Sequence, residues 1–112
     1  MKMNVFVHYL ENAINISING LKDKDCYVRE SYANSLGIIA AKASEEQLEK
    51  VFSALISGLK DEDKNIHISC TESLGVISTN LNDKQLEGVF NALIFVSKHS
   101  INTNNYSKDE SL

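Results

Sequence analysis

Apolar side chains in the middle of the chain fall at Leu48, Val51, Phe52, Leu55, Ile56 and Leu59, a spacing of i, i+3, i+4, i+7, i+8 and i+11. That spacing draws one stripe along the side of an α-helix. After a polar break from Lys60 to Lys64, Ile66, Cys70, Leu74, Ile77 and Leu81 continue at three- to four-residue intervals and predict a second helix. The expected boundaries have their own chemistry. Ser44 with Gln47, and Asn82 with Gln85, have the cap-to-third-residue spacing that satisfies free amide donors at a helix start. Asp25 and Asp63 precede the second helices, where a carboxylate accepts amide hydrogen bonds and faces the positive end of the helix dipole.

The pattern repeats. Leu10 to Gln47 superimposes on Leu48 to Gln85 at an offset of 38 residues, with 14 of the 38 positions identical. The identities include Gly20-Leu21-Lys22-Asp23 with Gly58-Leu59-Lys60-Asp61, and Ser35-Leu36-Gly37 with Ser73-Leu74-Gly75. A third copy opens at Leu86 and matches Leu48 to Ile56 at seven of nine positions. A period of this length indicates stacked supersecondary units. The expected fold is all-α, an α-solenoid of two and a half antiparallel helix pairs, with repeats at about 5–43 and 44–81 and a half repeat at 82–98. In the third copy Asn104 stands where Ile66 stood and Lys108 where Cys70 stood, so 99–112 is expected to be a loose or weakly helical polar tail. Gly37 and Gly75 lie inside the second helices, where glycine costs about 1 kcal/mol relative to alanine. Close approach of a neighbouring helix is the expected compensation at both.

These residues resemble the HEAT-repeat family and its armadillo-like relatives, over residues 5 to 98. The resemblance rests on Leu21-Lys22-Asp23-Lys24-Asp25-Cys26-Tyr27-Val28-Arg29 followed by Ser35-Leu36-Gly37, and on Leu59-Lys60-Asp61-Glu62-Asp63-Lys64-Asn65-Ile66-His67 followed by Ser73-Leu74-Gly75. It implies a structural ladder between successive turns through Asp23, Arg29 and Asp61. The chain departs from the family where Lys24 and Glu62 replace a frequent proline, and where His67 replaces the arginine, which implies a weaker ladder at that end. The resemblance further implies that the second helices line a broad concave surface for a protein partner.

Composition narrows the classes of function. Acidic residues outnumber basic ones by 15 to 11 without a run of either sign, so no basic stripe is present to collect phosphates and nucleic acid is not the expected partner. No stretch approaches the roughly 18 to 20 consecutive apolar residues of a membrane span. Glu11 and Asn12 interrupt the apolar residues of Met1 to Leu10, so export is not expected. Cys26 and Cys70, without CxxC spacing, suit reduced thiols in a cytoplasmic protein. Proline is absent and glycines number five, which favours helices joined by short turns.

Reading outward from the apolar stripes, the candidate partner contacts are Tyr27, Glu30, Asn34 and Ala41 on the first repeat, and Asn65, Ile68, Glu72 and Thr79 on the second. Tyr27 and Ile68 carry most weight, because apolar side chains facing water at a contact surface are normally covered. Phe90, Leu93, Ile94, Phe95 and Val96 lack a following second helix, so self-association through this end, or packing of Ile101 and Tyr106 from the tail, is expected to cover them. Chemistry is weakly represented. His67 and Cys70 share a helix face but make only two ligands, so no metal is expected. Asp61, Glu62 and Asp63 crowd three carboxylates on an inter-helix turn, where solvated polar residues are the ordinary finding. No Gly-rich phosphate loop or nucleophile arrangement occurs, and neither catalytic residues nor a cofactor are expected. The expected function is a non-enzymatic protein-binding scaffold or adaptor. The alternative is an accessory subunit or lyase-like protein handling a cofactor or prosthetic group, since lyases and DNA glycosylases occur on related architectures.

Overall fold

The computed structural model describes the backbone from Lys2 to Ser111 and the side chains from Val5 to Lys98. Five α-helices account for it: α1 Lys2–Gly20, α2 Cys26–Ala40, α3 Glu45–Gly58, α4 Lys64–Ile77 and α5 Asp83–Ser111, with a 3-10 turn at Ser78–Asn80 between α4 and α5. No strand occurs among the described residues.

Each boundary has a local cause. The Asp25 and Asp63 carboxylates accept the Tyr27 and Asn65 amides at the starts of α2 and α4. Ser44 and Gln47 exchange side-chain and backbone hydrogen bonds at the start of α3, and Asn82 and Gln85 do the same at α5. One turn earlier, Asp23 accepts the Asp25 amide and Asp61 accepts the Asp63 amide, both at 2.9 Å, so both repeats fold the same two-aspartate turn.

Packing follows the repeat. α1 pairs with α2 and α3 with α4, while contacts between pairs run from α2 to α4, from α2 to α3, from α1 to α3 and from α3 to α5. Odd-numbered and even-numbered helices thus form two layers. The smallest dimension of the Cα trace, 15 Å, is that of two helix layers about 10 Å apart. Ile14, Leu36, Leu55, Leu59, Ile66 and Ile77 are fully buried between the layers. Each such side chain contributes about 1.5–3 kcal/mol through removal from water. Within the pairs, the Tyr32 ring covers Gly20 and the Cys70 sulfur covers Gly58.

The tightest contact joins α2 to α4. A Cβ on Gly37 would lie 2.9 Å from the Ser73 backbone, and the Ser73 hydroxyl donates to the Ala33 carbonyl at 2.5 Å. The expectation of close approach fails at Gly75, where a Cβ would meet nothing within 4 Å. Among the described residues no side chain or backbone packs that closely on this side of α4. The expected helix end near residue 98 also differs: α5 continues as one helix through the segment read as a polar tail. Neither glycine nor proline occurs between Val89 and Leu112, so nothing in the backbone chemistry halts it. Side chains beyond Lys98, including Ile101 and Tyr106, lie outside the described residues.

The two glycines therefore respond oppositely to one added methyl group. Gly37→Ala should destabilise the fold by a net of about 1–2 kcal/mol, because overpacking of about 1–3 kcal/mol outweighs the gain in helix propensity. Gly75→Ala should stabilise it by up to about 1 kcal/mol. Urea unfolding followed by circular dichroism compares the signs directly.

Candidate partner-binding surfaces

On α2 and its C-cap, Tyr27, Asn34, Ile38 and Ala41 follow a 7-4-3 spacing that places them on one helical face, and all four are exposed. On α4 and the 3-10 turn after it, Asn65, Glu72, Val76 and Thr79 repeat that spacing, with Ile68 at its edge, and these too are exposed. The close packing of α2 on α4 holds the two rows side by side. Glu30, the repeat equivalent of Ile68, sits at the same edge of its row and is half-buried. Tyr27 is 74% exposed and Ile68 53%. Ile38 and Val76 are 74% and 58% exposed and were missed by the sequence reading. The available signal was their equivalence: Gly37-Ile38-Ile39 matches Gly75-Val76-Ile77, and two adjacent positions on a helix cannot both point at the same neighbour.

A charged tie joins the repeats beneath this face. Arg29 donates through Nε to Asp61 Oδ2 at 2.9 Å and through Nη2 to Oδ1 at 3.3 Å, while Nη1 donates to the carbonyls of Asp23 and Lys24 at 2.9 and 3.1 Å. The hydrogen bond to Asp61 raises the guanidinium pKa above its ordinary value. Asp23 thus meets Arg29 through its carbonyl, its carboxylate being engaged by the Asp25 amide. His67, the repeat equivalent of Arg29, has a buried Nδ1 with no hydrogen-bond partner. Asp61 and Asp63 both accept backbone amides in turn and cap hydrogen bonds.

Two concavities accompany the α2 and α4 face, and the second of them reaches its edge at Ile68 and Glu72. One, of about 900 Å³, opens between α1 and α3; Ile18, Leu21 and Ala54 contribute apolar lining, and Lys22, Lys50 and Glu49 contribute charge. Lys50 also reaches Glu11 across the helices at 3.9 Å, an exposed pair. The other lies between α4 and α5, as two adjoining volumes of about 250 and 320 Å³ that share Thr71 and Leu93. On α5, Phe90, Ile94 and Phe95 are exposed, whereas Leu93 and Val96 are half-buried. The Lys60 ammonium stands 5.8 Å from the Phe95 ring centroid.

Among the described residues no group of three or more His, Cys, Asp or Glu could hold a metal ion, and no helix is long and apolar enough to cross a membrane. No protein-family model, curated protein or solved structure matches the chain.

Both cysteines are free, and both are held protonated. Burial pushes the Cys70 thiol up to about 12, with the Asp61 charge adding to it. Cys26 is raised by desolvation first and then by its hydrogen bond to Asp63. At pH 8, Ellman's reagent should label the half-buried Cys26 in the native protein and Cys70 only on unfolding. Because the unfolded Cys70 thiol ionises near its ordinary 9.0 and the folded one near 12, its contribution to stability is complete below pH 9 and declines between the two values. Urea unfolding at pH 8 and pH 10 should show that decline, and Cys70→Ala should lack this component of it.

Proposed function

We propose that the chain is a short HEAT-like α-solenoid that binds a protein partner on the exposed face of α2 and α4. The observation that carries this reading is the repeated apolar pair Ile38 and Val76, flanked by Tyr27 and Ile68, all more than half exposed on adjacent helices. Single exposed apolar side chains are common on protein surfaces. Four on two neighbouring helices, rimmed by Asn34, Asn65 and Glu72, have the composition of an interface centre with a polar surround. The order of contacts, α1 to α3 to α5 and α2 to α4, supports the solenoid reading, because units that touch only their neighbours leave such a face continuous. The chain is read as a non-enzymatic adaptor, since its clustered carboxylates are occupied in turns and caps.

Replacing Tyr27 and Ile68 together by Asp should leave the helical circular-dichroism spectrum unchanged and abolish capture of the partner from native lysate. Capture that survives the double substitution would sink the assignment of this face.

The α1–α3 groove favours a second reading, an accessory protein that handles a cofactor or prosthetic group. Its volume of about 900 Å³ and its mixture of apolar and polar lining suit a small organic molecule. On that reading a metabolite panel should give a thermal shift that Ala54→Trp removes. A flat response across the panel, with no absorbance beyond the protein band, counts against it.

A further inference from the structure

The sequence repeat makes α2 a template for what α4 lacks. On α2, Ala33, Leu36, Gly37 and Ala40 are buried, with α4 lying across them. Their equivalents 38 residues on are Thr71, Leu74, Gly75 and Ser78, which line the cavity between α4 and α5. Gly75 has nothing within 4 Å where Gly37 has Ser73. The opposite wall shows the same deficit. Leu48, Val51 and Leu55 of α3 are at most 5% exposed, yet their equivalents Leu86, Val89 and Leu93 on α5 are only partly buried. The slot is therefore bounded on both sides by faces that, one repeat earlier, enclose a helix.

The repeat also states what that helix carries. Where α4 lies on α2, Asp61 in its leading turn meets Arg29, and Ser69 and Ser73, eight and twelve residues later, are buried, Ser73 on bare Gly37. At the slot, His67 replaces Arg29 as a lining residue, and its buried Nδ1 has no partner. We propose that the slot between α4 and α5 takes one amphipathic helix of a partner protein, with an acidic residue before its first turn facing His67. Small residues eight and twelve positions further on rest against α4, the second of them on Gly75.

Two other occupants fit less well. Residues 99–112 of this chain carry Ser107 and Ser111 in register, but His99 stands at the acidic position, Lys108 replaces Cys70, and Val96 replaces the bare Gly58 against which Cys70 packs. A second copy could present Asp23, Ser31 and Ser35 on its α2. That helix arrives paired with its own α1, however, and α5 already holds the place beside α3 that α1 would need.

The test uses the full chain and, as probe, a fluorescent peptide copying residues 59–81, which carries Asp61, Ser69 and Ser73. Fluorescence anisotropy should show saturable binding, weakened at least tenfold by Gly75→Leu, which fills the slot, and by Asp61→Arg in the peptide. Circular dichroism of the Gly75→Leu protein checks that it folds, and His67→Ala, a truncation, should also weaken binding. Tyr27→Asp should leave peptide binding intact, so that failure of the α2 and α4 face and failure of the slot are separable. The proposal is overturned if the peptide does not bind, if Gly75→Leu and His67→Ala leave its affinity unchanged, or if a peptide of residues 97–112 binds more tightly. It is overturned equally if light scattering shows a dimer that Gly75→Leu dissolves, since the occupant would then be a second copy.

Discussion

The Ser73 side chain rests on the bare backbone of Gly37 and gives its hydroxyl proton to the Ala33 carbonyl. A buried hydroxyl without a partner would be costly, and a helix carrying any side chain at position 37 would stand further off. This contact fixes how closely α2 and α4 approach. The remainder of the arrangement follows: Arg29 reaches Asp61 only because the two turns are drawn to the same level, and the exposed rows of α2 and α4 lie side by side only because no gap opens between them.

The odd-numbered layer is held by a looser contact, where a Cβ on Gly88 of α5 would lie 3.2 Å from the Phe52 ring of α3. Between α1 and α3 the helices leave a concavity of about 900 Å³, and α5 touches α3 sparingly. One layer is close-packed and its neighbour is open, so the surfaces differ in character. The α2 and α4 side is a broad exposed face, and the α1 and α3 side holds a recess.

The charged residues serve the packing. Asp23, Asp25, Asp61 and Asp63 are used in turns and helix caps, and Arg29 is held by four hydrogen bonds. A carboxylate that accepts backbone amides has little freedom to move a proton to or from a substrate. The polar groups of this chain maintain its stacking, and its apolar surplus faces outward on α1, α2, α4 and α5.

The sequence by itself determined the helices, their caps and most of the core. The stripe from Leu48 to Leu59 and the cap spacings of Ser44 and Asn82 act within one or two turns, where 3.6-residue geometry decides what faces what. The resemblance pointed to Arg29 and Asp61, and the structure brings those two side chains into a bidentate contact. Tertiary structure alone decided the outcome wherever two identical letters have different neighbours. Gly37 is covered and Gly75 is bare, Leu55 is enclosed and Leu93 is half open, and α5 runs on through the segment expected to be a loose or weakly helical tail. A repeat encodes one face of a contact at a time. Whether that face is filled depends on the element that arrives opposite, which local periodicity cannot register because burial is a property of the pair.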